Sequence, residues 1–162
     1  MDAATFWQLI ESSRENAGGD PDEQADELTD LLSELPPDEI VAFDRMLHEL
    51  LAAANRWDLW AAAYIINGGC SDDAFEYFRA WLVAQGERVY REALADPETL
   101  TERAEPDATN AESLLYAAGD AYRVETGRDL PAKVSRPSEP AGERWNEADL
   151  KHRFPKLWAA FP

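Results

Sequence analysis

Apolar positions recur at three- and four-residue intervals along most of this chain, and no stretch alternates with the two-residue period of a strand. The pattern predicts an all-α protein. Asp2 or Thr5 caps a first helix that has Phe6, Trp7, Leu9, Ile10 and Ser13 along one side and stops at Gly18-Gly19. Asp20-Pro21-Asp22-Glu23 then supplies an N-cap, a proline at the first helical position and an acid at the third, which specifies the start of a second helix. Within it Ala25, Leu28, Leu31, Leu32 and Leu35 form an apolar stripe. Asp22, Glu23, Asp26, Glu27, Asp30 and Glu34 occupy the other side until Pro36-Pro37. An acidic ridge thus lies over an apolar face.

Pro37-Asp38-Glu39 opens a third helix with Ile40, Phe43, Leu47, Leu50, Leu51 and Ala54 facing inward and a break expected near Asn55. The stretch from Arg56 to Gly86 follows, and the remaining segments are expected to pack around it. Seven of the seventeen aromatic residues fall between Trp57 and Trp81, and large aromatics dominate core energetics. Trp57 to Asn67 reads as a helix that is apolar almost all round, hence central, with Gly68 just past its end. Ser71 caps the next helix, in which Asp72 and Asp73 complement the helix dipole and Phe75, Tyr77, Phe78, Trp81 and Leu82 leave little surface for water. Gly86 closes it. Val89, Tyr90, Ala93 and Leu94 continue helically to Asp96-Pro97, and Thr109-Asn110 caps a last substantial helix, with Leu114, Leu115, Ala118 and Tyr122 inward and Gly127 at its end.

From Arg128 to Gly142 the chain carries Pro131, Pro137 and Pro140 without periodic apolar residues, which predicts an extended segment wrapping the body. Asn146 can cap a short helix containing Leu150, and Phe154 to Trp158 reads as an anchor that packs back. The expected organisation is one compact multi-helix domain over residues 1–127 and an extended C-terminal segment over 128–162. A length of 162 residues suffices for a single well-buried core. No apolar run reaches the roughly 20 residues of a bilayer-spanning helix, and the acidic start lacks the basic region of an export signal. With a single cysteine, Cys70, these features predict a cytoplasmic protein with no disulfide framework.

Charge changes the picture most. The formal net charge is −18, and residues 1–50 alone carry fourteen acids against Arg14 and Arg45. Such a field disfavours nucleic acid and anionic membrane and favours a basic protein as partner. Solubility or adaptation to a salty interior would account for it as well. Twelve arginines against three lysines, with abundant alanine, match the usage of a GC-rich genome such as that of an actinobacterium.

Trp57-Asp58-Leu59-Trp60, Gly68 to Asp73, Phe75, Tyr77 to Leu82 and Gly86 resemble the central motif of the bacterial domain-of-unknown-function family 4240. Looser similarity extends from Phe6-Trp7 to Ala121-Tyr122 and Thr126-Gly127. The resemblance implies a small, stand-alone helical domain and carries no activity, cofactor or catalytic residue. It also implies that a small residue is accepted where Cys70 stands.

Several constellations bear on chemistry. Asp72 and Glu76 share a helix face, and with Asp58 from the preceding helix they could hold a hard cation or position a water. The simpler account makes Asp72 and Asp73 dipole complements and Glu76 an ion-pair partner of Arg79. Cys70, between a glycine pair and a helix N-terminus, is either an activated thiol or a small buried residue, and the two histidines stand far from it in sequence. Trp57, Trp60 and Trp81, with Tyr64, Phe75, Tyr77 and Phe78, form core or line a ligand pocket. Arg56 and Arg79 are internal ion-pair or cation–π partners, or receive an anion. His48 has no second histidine one turn away and reads as a surface or hydrogen-bond-satisfied residue, not a ligand.

No GxxxxGK-S/T loop, GxGxxG turn, HExxH helix or GxSxG elbow is present, so no catalytic residue, cofactor or metal is assigned. The sequence therefore favours a protein-binding or regulatory module, immunity-like in character, whose ridge of Asp22, Glu23, Asp26, Glu27 and Asp30 meets a basic partner. The alternative is an enzyme or small-ligand protein with a site at Asp58, Ser71, Asp72, Asp73, Glu76 and Arg79, flanked by Trp57, Trp60 and Trp81.

Overall fold

A side-chain cap or a proline starts four of the first five helices. In the computed structural model, which describes residues 1–132 and 138–162, α1 (Ala3–Ala17) begins where Asp2 Oδ1 accepts from the Thr5 N–H at 2.8 Å. For α2 (Pro21–Ser33), Asp20 Oδ1 accepts from the N–H groups of Asp22 and Glu23 at 2.8 and 3.0 Å, with Pro21 at the first position. Proline also opens α3 (Pro37–Ala53). The chain breaks at Ala54-Asn55, as expected, and restarts as α4 (Trp57–Asn67). Gly68 ends α4 with φ 68°, and Ser71 Oγ caps α5 (Asp72–Ala84) through the Ala74 N–H at 3.2 Å.

The described residues contain no strand, and the fold is all-α. α4 is buried along most of its length and packs against α5 and against two elements nearer the C-terminus. Leu59, Ala61, Ala62, Ala63, Ile65 and Ile66 are all buried, and the run of alanines lets neighbouring backbones approach closely. α2 lies between α1 and α7 (Ala117–Thr126), with Leu28 and Leu32 fully buried. Phe6 of α1 stacks on Phe43 of α3 with centroids 4.7 Å apart. Gln24, 4% exposed, donates through Nε2 to the Ala84 carbonyl at 3.0 Å and so ties α2 to the end of α5. A buried amide of this kind is tolerated because its hydrogen is spent.

The helix expected after Thr109-Asn110 starts differently. Asn110 Oδ1 accepts from the Glu112 N–H at 3.0 Å, but a 3-10 segment, Glu112–Tyr116, precedes α7. Thr109 turns inward to exchange hydrogen bonds with Asn67, and the Ala111 N–H is taken by the Tyr77 carbonyl at 3.2 Å. These long-range bonds tighten the first turn. Leu114 and Ala118 are buried, whereas Leu115 and Tyr122 are only half-buried.

The C-terminal segment packs back. The Ala141 N–H donates to the Asn55 carbonyl and the Trp57 N–H to the Ala141 carbonyl, both at 2.9 Å, across an isolated bridge between Arg56 and Ala141. Pro137 lies outside the described residues. Asn146 Oδ1 accepts from the Asp149 N–H, and α8 (Leu150–Arg153) and α9 (Pro155–Ala160) bury Leu150, Phe154 and Leu157. α9 rests on α4 and on the 3-10 segment Pro97–Glu102, where Glu98 accepts from the Lys156 N–H at 2.6 Å.

Between α5 and α6 (Glu87–Ala95) the backbone turns at Gly86 with φ 97° and ψ 168°, a region essentially reserved for glycine. A Cβ there would also collide with the Glu11 carboxylate, the mobile end of a long side chain. Gly86→Ala should therefore destabilise by about 2 kcal/mol, chiefly through backbone strain. Denaturant titration should show a lower midpoint at unchanged slope. The double variant with Glu11→Ala should keep most of the loss; full recovery would assign the cost to the contact instead.

Candidate functional site

Two helical stripes face each other across a cleft of about 560 Å³. His48, Leu51, Ala52 and Asn55 come from the last turns of α3 and the residues just beyond it. Asp72, Phe75, Glu76 and Arg79 come from α5 at the same i, i+3, i+4, i+7 spacing, with Asp73 beside them. Trp60 of α4 and Ser138 and Pro140 of the C-terminal segment complete the lining. Asn55 Nδ2 holds that segment in place by donating to the Ser138 carbonyl at 3.1 Å.

Arg79 is the centre of the cleft's electrostatics. Its Nη1 donates to the Leu51 carbonyl at 2.8 Å, one of the acceptors that the end of a helix leaves without an intrahelical donor. Its Cζ sits 4.8 Å from the centroid of Phe75, and its Nε is buried without a hydrogen-bond partner. Desolvation lowers its pKa, and the charge of nearby Glu76 opposes that shift. The ion pair expected between Glu76 and Arg79 is absent: among the described residues no carboxylate comes within 4.0 Å of this guanidinium. The neighbouring Leu50 carbonyl accepts from Tyr90 Oη at 2.7 Å, so α3 ends on two side-chain donors.

Asp58 does not join the acids of α5. It takes Arg56 in a two-pronged ion pair, and Arg56 Nη1 continues to the Leu94 carbonyl at 2.8 Å, tying the start of α4 to the end of α6. That arrangement makes Arg56 an internal tie. Among the described residues no group of three His, Cys, Asp or Glu side chains is disposed to hold a metal ion. Ser71 is spent as the cap of α5.

The aromatics form a ladder. Trp57 stacks on Trp60 at 5.3 Å, Trp60 on Phe75 at 5.1 Å, and Phe75 leads through Phe78 to Trp81, which is 5% exposed in the core. Trp145 of the C-terminal segment meets Trp57 edge-on and Tyr64 at 5.0 Å, and Arg144 lies over the Trp57 ring. The cleft thus gathers Trp60, Asp72, Asp73, Glu76 and Arg79 and leaves Trp57, Asp58, Ser71 and Trp81 outside its lining. Besides the apolar Leu51 and Ala52, the residues that the sequence did not place there are His48, Asn55, Ser138 and Pro140. The first two share the α3 stripe and were readable as one face; nothing local connects the last two to the cleft.

The acidic ridge forms a second surface. Asp22, Glu23, Asp26 and Asp30 are exposed and Glu27 half-buried. Asp22 accepts from Ser113 Oγ at 2.7 Å and Glu27 from Asn16 Nδ2 at 3.1 Å, both neutral donors. None of the five is in an ion pair among the described residues. Beside the first turn of α2 runs a groove of about 580 Å³ lined by Asp20, Asp22, Asp107, Glu112 and Tyr116, with no basic residue in its lining. Asp107 holds a left-handed backbone, φ 61°, pinned by its N–H to Asn67 Oδ1 at 3.1 Å. The charge of Glu112 raises the pKa of the Tyr116 phenol, which is 56% exposed.

A family model described as a protein of unknown function, DUF4240, matches residues 1–124. The chain belongs to the DUF4240 family. No curated protein and no solved structure matches it. The DUF4240 match takes in both helical stripes of the cleft and the whole acidic surface, and ends before Ser138, Pro140 and Trp145. Among the described residues no helix is long and apolar enough to cross a membrane.

Burial pushes the Cys70 thiol up to about 11, so its thiolate is scarce at neutral pH and the residue is not an activated nucleophile. Iodoacetamide should alkylate it about ten-fold or more slowly than a free thiol at pH 7.5, with the rate climbing as pH approaches 11. A rate that saturates near pH 7 would contradict this assignment.

Proposed function

We propose that this DUF4240 protein is a binding module whose α2 ridge and adjoining groove engage a basic protein partner. The observation that carries the proposal is the uncompensated charge of that surface. Asp22, Glu23, Asp26, Glu27 and Asp30 line two turns of one helix, Asp107 and Glu112 share the groove's lining with Asp22, and no cation among the described residues pairs with any of them. Close carboxylates without counter-charges repel one another, and a partner presenting lysine or arginine relieves that repulsion on docking. The exposed Tyr116 ring adds an amphipathic surface of the kind that protein interfaces enrich.

The same field works against nucleic acid and anionic lipid as partners. A regulatory or immunity-like role suits a domain that presents a charged face and keeps its cysteine inert. A reducing cytoplasm suits the single free thiol.

Neutralising the ridge tests the proposal. The variant Asp22→Asn, Glu23→Gln, Asp26→Asn, Asp30→Asn should still fold, since all four side chains are exposed. Compared with the wild type in pull-downs from source lysate at low and high salt, it should lose basic partners that the wild type releases as salt rises. A control with Glu102, Glu105, Glu125 and Asp129 made neutral should retain them. Equal loss in both variants would reduce the effect to overall charge, and capture insensitive to salt and to the ridge would overturn the proposal.

A further inference from the structure

The cleft between α3 and α5 is chemically unlike the acidic surface. Its volume of about 560 Å³ lies within the roughly 300–1,000 Å³ of small-molecule sites. One end presents Arg79, a guanidinium whose one hydrogen bond among the described residues goes to the Leu51 carbonyl, in a chain where acids outnumber bases two to one. A partly desolvated arginine beside so many carboxylates usually acquires one, because leaving its charge unpaired is costly. Among the described residues none is within ion-pair distance. The other end carries Glu76 and Asp72 on the same helical stripe, one and two turns from Arg79, or about 5 and 10 Å of helix rise. Neither is in an ion pair among the described residues.

The aromatic lining narrows the ligand. Trp60 already stacks with both Trp57 and Phe75, and Phe75 also receives the Arg79 guanidinium. The rings offer edges and apolar contact more than a free face, which disfavours stacking of a base or another planar ring. A simple anion would meet the acids of α5, and a simple cation would meet Arg79. We infer that the cleft binds a small linear zwitterion, its carboxylate on Arg79 and its ammonium on Glu76 or Asp72, with its alkyl stem along Trp60 and Ala52. A short peptide with free ends or an ω-amino acid has this chemistry. The inference does not depend on the acidic ridge and would survive the loss of the partner proposal.

The probe is 6-aminohexanoate, compared with hexanoate and hexylammonium, titrated into the isotope-labelled full chain and followed by two-dimensional NMR. The zwitterion should shift the Trp60 indole N–H and the Arg79 Nε–H with a dissociation constant on the order of 1 mM. Each singly charged probe should bind roughly ten-fold more weakly, because each forgoes one charge-assisted contact. Glu76→Gln changes an exposed side chain and should weaken the zwitterion about ten-fold while leaving hexanoate no weaker. Arg79→Gln removes the guanidinium charge and should erase the advantage over hexylammonium. No shift at cleft residues, a response to hexylammonium equal to that of the zwitterion, or binding indifferent to both substitutions would overturn the inference.

Discussion

A helix with no wet face must be enclosed, and α4 imposes that demand on everything around it. Leu59 to Ile66 is almost wholly apolar, and burying it requires walls from α5, from α9 and from the 3-10 segment after α6. The Trp57–Trp60–Phe75 stack joins α4 to α5, and Trp145 extends the same stack into the C-terminal segment. Each such aromatic contact adds about 0.5–1.5 kcal/mol beyond burial of its area. The short break between α3 and α4 follows from the same demand. It aligns the end of α3 with α5, where Arg79 and Tyr90 occupy the carbonyls of Leu51 and Leu50.

Those ties consume positive charge in the interior and along one side. Arg56 pairs with Asp58, and Arg88, Arg91 and Arg103 pair with Glu87 and Glu92 on and beside α6, whereas Arg79 meets a neutral carbonyl. Arg123 pairs with Asp120 and Asp129 at the end of α7. Among the described residues the acids of α2 have no share in this compensation. Five of the chain's 33 acids thus share one stretch of α2 without an ion-pair partner among the described residues, and this placement gives part of the charge a directional meaning that a composition count does not.

Much of the fold was readable in order along the chain. Asp2, Asp20 and Ser71 cap where their local sequence says they should, Pro21 and Pro37 open helices, and Gly68 and Gly127 end them. The candidate site was readable in part. Asp72, Asp73, Glu76, Arg79 and Trp60 do meet in one cleft, because four of them share one helix and the fifth lies one short loop away. Asp58 was legible as an acid near that cleft, but its distance from Arg56 is two residues, and the two-pronged pair wins over a longer reach to α5.

Sequence alone determined the elements, since capping, proline placement and a 3.6-residue apolar period act within a few residues and require nothing from the rest of the chain. It also determined the acidity of α2, because both faces of that helix are written in its own heptads. Tertiary structure decided which charges are paired and which are left over. That Arg79 ends on the Leu51 carbonyl instead of Glu76, that Thr109 turns inward to Asn67, and that Ser138 and Pro140 border a cleft built from α3 and α5 are outcomes of contacts 28 to 83 residues apart. Such contacts depend on how the helices pack around α4, where burial and desolvation outweigh local preference.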